Sequence, residues 1–250
     1  MAVGNESELA EEIERLRAEL ATRERESADR QQQLERYAAD LRETFKEERA
    51  RRDELRQSYM ATVRALSNAV EARDAYTSKH AERVTAYALE IARALGTQLA
   101  GVEEIEFAFL LHDVGKVAIP DAILYKPGPL TDNERSLMEQ HPLIGVEIVR
   151  GIEFLGPAAE VVRSHHERWD GQGYPDGLAG EEIPIAARVF AAADVLDALT
   201  TERPYRPASP LGVAREIIVK ESGGQFDPQV VEAFQTIPDE TFERIAAAVR

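Results

Sequence analysis

The chain contains five histidines, His80, His112, His141, His165 and His166, and none of them precedes residue 80. His112 is followed directly by Asp113, then by Gly115 and Lys116, while His165 and His166 are adjacent. Asp194 interrupts an apolar stretch, AAADVLDALT, where a carboxylate is costly unless it is paired or ligated. Imidazoles and carboxylates are the donors that a chain without cysteine offers to first-row metals such as iron, manganese and zinc. Carried on separate helices that face one core, such residues can build a binuclear site. Taken singly, several have ordinary readings: His80 as a surface or satisfied core residue, His141 as a helix cap beside Pro142, Asp194 as a salt-bridged aspartate, Lys116 as a surface lysine after a turn. The adjacent histidines resist that treatment. Neighbours on a helix point about 100° apart and are seldom both buried without a purpose.

The elements that must position these residues are helices. Apolar periodicity and Gly/Pro punctuation predict helices at 78–95, 103–112, 132–139, 142–150, 157–166, 184–200, 209–220, 228–235 and 239–250. The segments 117–120 and 183–185 are too short to make a sheet, so the fold class is all-α. The loop 167–183, ERWDGQGYPDGLAGEEI, is long and glycine-rich, which marks it as functional.

The N-terminal part has another texture. Residues 1–56 hold 16 acidic and 12 basic side chains, half of the segment. Gly4 is the only glycine before residue 96 and no proline precedes Pro120, which argues for long, continuous helix. Leu9, Ile13, Leu16 and Leu20, then Leu34, Tyr37 and Leu41, follow heptad spacing, interrupted at Ser27 and Glu48 and by Arg23, Arg30 and Arg51. The readings that stand are a solvated, charge-laced single helix or a partly disordered tail, and a weakly held parallel two-stranded coiled coil. After a phase slip near Phe45, Tyr59, Val63, Leu66 and Val70 form an apolar stripe leading into the next domain, and a homodimer held by the coil and by Val63, Leu66 and Val70 is expected. The boundaries drawn are 1–66 for the coiled-coil helix and 67–250 for the following domain.

Of the 250 residues, 46 are acidic and 30 basic, a net charge of −16, which argues against binding duplex nucleic acid. The absence of cysteine excludes disulfides, thiolate metal sites and a cysteine nucleophile. No signal peptide and no run of the ~18–20 apolar residues needed to span a bilayer is visible, so a cytoplasmic protein is expected.

HDVGK (112–116) with HHERWDGQGYP (165–175) closely resembles the HD-GYP family of metal-dependent phosphodiesterases, which cleave cyclic dinucleotides, chiefly cyclic di-GMP. The resemblance continues through IPDAILYKPGPLT (119–131), ADVLDALTTERPYR (193–206) and GGQFDP (223–228), and covers residues 70 to 235. It implies an HD-type helical bundle with two divalent ions, iron or manganese. One ion would be held by His80, His112, Asp113 and Asp194; the other by His141, His165 and His166, with Asp113 bridging. A subset of the family carries a glutamate four residues before the first ligand histidine, supporting a third metal; here that position is Tyr76, which points to the two-metal kind.

The implied chemistry is attack on phosphorus by a hydroxide shared between the two ions. Lys116 would reach the phosphate as a fixed positive charge, and Arg203 and Arg206 would contact substrate phosphate and guanine. Tyr174, within Gly173–Tyr174–Pro175, belongs to the element implied in substrate access and partner contacts; Trp169 is expected to pack that loop. The product would be the linear dinucleotide pGpG, and further hydrolysis would give GMP. An upstream sensor or GGDEF-type partner would supply the input. Competing readings are a broader HD-type phosphohydrolase acting on mononucleotides or a mixed cyclic dinucleotide, a binding module without turnover, and a helical adaptor. The last leaves the histidines unexplained.

Overall fold

The structure, a computed structural model, describes residues 3–73, 79–97, 99, 102–202 and 207–249, and separates into two units, Met1–Tyr59 and Met60–Arg250. Helix α1, Val3–Glu71, supplies the whole described part of the first unit and enters the second. Its surface is laced with pairs one turn apart, such as Glu12–Arg15, Glu14–Arg17 and Glu19–Arg23, which favour helix in a charge-rich sequence. Leu9, Leu20, Leu34, Leu41 and Phe45 are each more than half exposed, so the heptad stripe is unburied in the single chain. Val63 behaves differently. It is fully buried and Leu66 is not, so Val63 is already used within the chain and is withdrawn from the expected dimer stripe. No described helix is long and apolar enough to cross a membrane.

The second unit continues with α2 (His80–Ala94), α3 (Glu103–Leu110), α4 (Asp121–Leu124), α5 (Asp132–Met138), α6 (His141–Arg150), α7 (Ala159–Ser164), α8 (Ile185–Thr200), α9 (Leu211–Lys220), α10 (Pro228–Thr236) and α11 (Asp239–Ala248). Among the described residues there are no strands, only isolated bridges between Asp170 and Ala179 and between Ser222 and Phe226, so the all-α expectation holds. The core is built where α2 packs on α8. Val84, Ala88 and Ile91 of α2 and Ala193, Leu196 and Phe190 of α8 are fully buried, and Phe109, Ile218, Phe234 and Phe242 close the cluster from α3, α9, α10 and α11. The small alanines of α8 let these helices approach closely, and the aromatics fill the remaining volume.

Local signals account for several helix starts. Thr131 and Glu134 make a reciprocal capping box at α5, and Asp227 caps α10 with Pro228 in its first turn. Two differences from the sequence reading bear on the site. A 3₁₀ turn, Val114–Ala118, and α4 occupy a stretch without a predicted element. The predicted helix 157–166 is a 3₁₀ turn followed by α7, which ends at Ser164, so His165 and His166 sit in the turn just beyond it.

Candidate metal centre

Three helix ends aim three histidines by one device. The last carbonyls of a helix lack intrahelical donors. The Nδ1–H of His112 donates to the Phe109 carbonyl at the end of α3 (2.9 Å), that of His141 to the Met138 carbonyl at the end of α5 (2.8 Å), and that of His165 to the Val162 carbonyl in α7 (2.8 Å). A carbonyl only accepts, so each Nδ1 carries the proton and each neutral ring presents the lone pair of Nε2 to the interior. His80 opens α2, and its Nδ1 faces the Asp197 carboxylate at 2.8 Å.

The five rings converge with two carboxylates into two groups whose donor atoms lie within 4.8 Å of one another in each group: Asp113 with His141, His165 and His166, and His80 with His112 and Asp194. Asp113 stands between them. Its Oδ2 lies 3.1 Å from His112 Nε2, and its Oδ1 lies 3.3 Å and 3.9 Å from the Nε2 atoms of His141 and His165. Asp194 Oδ1 is 3.3 Å from His80 Nε2, and Lys116 Nζ is 2.7 Å from Asp113 Oδ2. Phe190 underlies the centre, its ring centroid 4.7 Å from that of His112 and 6.0 Å from that of His165. The close approach depends on Gly115: a Cβ there would lie 1.9 Å from the His141 carbonyl oxygen. Only glycine lets the turn after Asp113 rest on the start of α6.

The electrostatics suit cation capture. Burial opposes the charged form of Asp113, but Lys116 and the neighbouring histidines outweigh it and hold the carboxyl well below its ordinary range. Asp194 is lowered to about 2, since His80 overcomes the effect of burial. Burial, reinforced by adjacent histidines, keeps His165 neutral and lowers His166 to about 3. His80 moves the other way, to about 10, because Asp194 and Asp197 overcome its burial.

The loop after the paired histidines closes over them. Tyr174 stacks on His166 with ring centroids 4.7 Å apart and planes inclined by 28°, and its N–H donates to the His166 carbonyl. Buried Glu167 accepts from the backbone N–H groups of Asp176, Gly177 and Leu178 and so fixes the far side of the loop. A Cβ at residue 173 would approach the Arg168 nitrogen to 2.4 Å, which explains the glycine before Tyr174. Trp169 lies under the Arg188 guanidinium, 5.7 Å from its ring centroid. Arg203, Arg206 and Tyr76 lie outside the described residues.

Sequence reasoning missed Asp197, Arg83 and Glu167, although the Asp194/Asp197 spacing of three residues on an apolar helix was a visible signal. Glu71, the last residue of α1, accepts from the N–H groups of Lys79 and Ala81 at the start of α2.

Whether this cluster fits metal ions can be judged from its acceptors. His141 Nε2 and His165 Nε2 are 3.2 Å apart with both protons committed at Nδ1, and Asp113 Oδ1 is buried there without a hydrogen-bond donor. Lone pairs and a carboxylate crowded together repel unless a cation lies among them. The donor set therefore fits divalent first-row metal ions, which take nitrogen and oxygen ligands.

Residues 64–230, two thirds of the chain, match the family model described as HD domain. The chain belongs to the HD domain family. The relatives of this HD domain include the cyclic di-GMP phosphodiesterase response regulator RpfG of Xanthomonas campestris pv. campestris, 44% identical over 183 residues, covering 72% of this chain and 48% of RpfG. The 3′3′-cGAMP-specific phosphodiesterase 2 of Vibrio cholerae is 42% identical over 181 residues, covering 72% of this chain and 35% of that protein. The chain thus spans half or less of the length of these relatives. A solved cyclic GMP-AMP specific phosphodiesterase of V. cholerae (V-cGAP3) superposes with a TM-score of 0.53 at 20% identity, over 74% of this chain and 53% of the other, and shows the shared fold. The expected HD-GYP resemblance and metal-dependent HD chemistry accord with this membership.

Proposed function

We propose that this HD domain, taken as residues 67–250, is a cyclic di-GMP phosphodiesterase that yields the linear dinucleotide pGpG. The observation that carries the reading is the pair of adjacent donor groups, Asp113 standing in one and 3.1 Å from His112 of the other, with His112, His141 and His165 each locked in the tautomer that aims Nε2 inward. Two bound divalent ions, iron or manganese, would supply Lewis acidity towards the phosphate and a hydroxide from a shared water acidified towards neutrality. His80, His112 and Asp194 would hold one ion and His141, His165 and His166 the other, with Asp113 as the carboxylate between them. Lys116, anchored on Asp113, presents a fixed positive charge to the phosphate, where preorganised charge lowers the barrier most. Tyr174, braced on His166, orients the substrate beside the second group, and Arg203 and Arg206 take its phosphate and guanine edges. The proposed setting is the cytoplasm, in keeping with the cysteine-free composition.

The test is to load the chain with Fe(II) or Mn(II), incubate it with cyclic di-GMP and separate the products by chromatography. Linear pGpG is the expected result, and no linear product with either metal overturns the activity. A second reading is supported by the V. cholerae relative named for 3′3′-cGAMP. Parallel incubations with both dinucleotides decide between them by the ratio of kcat/KM.

For residues 1–66 we propose a parallel two-stranded coiled coil that joins two such domains and receives input from a sensor or GGDEF-type partner. Its support is the exposed heptad stripe Leu9, Ile13, Leu16, Leu20, Leu34 and Leu41.

A further inference from the structure

His80 is held unlike the three carbonyl-anchored histidines. Its Nδ1 meets the Oδ2 of Asp197, a side chain only 2% exposed, at 2.8 Å. Arg83 binds the same carboxylate in a fork, with Nε 2.7 Å from Oδ1 and Nη2 3.1 Å from Oδ2. The arrangement is a closed four-residue frame. Helix α2 supplies His80 and Arg83, helix α8 supplies Asp194 and Asp197, and both pairs are three residues apart, on one face of each helix. The imidazole is gripped from opposite edges, Asp194 at Nε2 and Asp197 at Nδ1. Arg83 also reaches the Thr201 hydroxyl at 3.4 Å, which ties the frame to the end of α8.

We propose that Asp197, held by Arg83, is the positioning residue of the ion site formed by His80, His112 and Asp194. Its carboxylate keeps the Nδ1 proton in place and leaves Nε2 as the donor atom. A negative partner also makes the imidazole a stronger ligand than a neutral carbonyl does. Partners of this kind behind a ligand histidine typically contribute about 10–100-fold in metal affinity. The fork from Arg83 fixes the carboxylate plane, so the ring is set by two helices before any ion arrives. The effect is confined to one ion: His141 and His165 are anchored by the Met138 and Val162 carbonyls, which the frame does not touch.

This inference rests on the two-ion reading, and a binding measurement separates the two. Mn(II) titration of the 250-residue chain, followed by the electron paramagnetic resonance of free Mn(II), counts sites and their affinities without turnover. For Asp197→Asn, one site is expected to weaken about 10–100-fold while the other keeps its wild-type affinity and the circular dichroism is unchanged. Asp197→Glu, which restores the charge, should recover part of the loss. Because Asp197→Asn leaves Arg83 facing a neutral partner, the double variant Arg83→Gln with Asp197→Asn removes both charges together and should show the same selective weakening. Two sites at wild-type affinity in these variants, or both sites weakened equally, overturns the proposal. A wild-type chain that binds no pair of ions removes the two-ion reading and this inference with it. Two wild-type ions with no change on Asp197→Asn remove the inference alone.

Discussion

Replacing Asp113 by alanine removes the carboxylate that faces both histidine groups, one oxygen towards His112 and the other towards His141 and His165. Turnover should vanish and both ions should be held more weakly; metal stoichiometry beside circular dichroism checks this, and two ions with near-normal rate would refute the bridging role. Lys116→Ala should leave both ions in place while lowering kcat by about 10²–10³, the range for removing one preorganised charge or donor from a transition state. Steady-state kinetics on protein of measured metal content tests this. Residue identity also carries shape. Gly115→Ala would force a Cβ into the His141 carbonyl, and the required backbone shift should cost about 3 kcal/mol, read from denaturant unfolding. These glycines were visible in the sequence as part of HDVGK and GYP, but the backbones they admit were not.

Helix ends and their histidines set the pH response. In the metal-free protein His166 is lowered to about 3 and His165 is held neutral, both by burial, so below the ordinary histidine value of 6.5 the unfolded chain takes up protons that the folded chain refuses. Stability should therefore fall as pH drops from 6.5 towards 3. His80 contributes with the opposite sign: raised to about 10 by Asp194 and Asp197, its share is complete below 6.5 and lost as pH rises through 10. Thermal midpoints of the metal-free chain across pH 4 to 10 should trace a maximum between these limbs, and an acid limb no steeper than carboxylate titration alone would count against the assignment. Beneath the site, Phe190 of α8 joins the core to the rings of His112 and His165. Phe190→Ala should cost about 3–5 kcal/mol and weaken metal binding as well, because the cavity would lie directly under two of the proposed ligands, His112 and His165.

At the scale of the molecule, the exposed heptad stripe makes a concentration-dependent dimer the expected state, since each large apolar side chain fully buried contributes about 1.5–3 kcal/mol. Sedimentation equilibrium should show a dimer at micromolar concentration, and deletion of residues 1–56 should weaken it while metal content is retained, because every proposed ligand follows residue 79. A monomer of the 250-residue chain would reduce α1 to a solvated helix. The sequence by itself determined the helical class, through breaker-free runs and 3.6-residue periodicity, and the candidate donor types, since a chain without cysteine and with five histidines has few other donors. Tertiary structure decided what one-dimensional pattern cannot carry. It ended α7 at Ser164, so the paired histidines lie in a turn, and it buried Val63, which the sequence reading places on an apolar stripe. It also brought Asp197 of α8 behind His80 of α2, 117 residues away, because α2 and α8 pack through their apolar faces, and only packing sets which polar residues then meet.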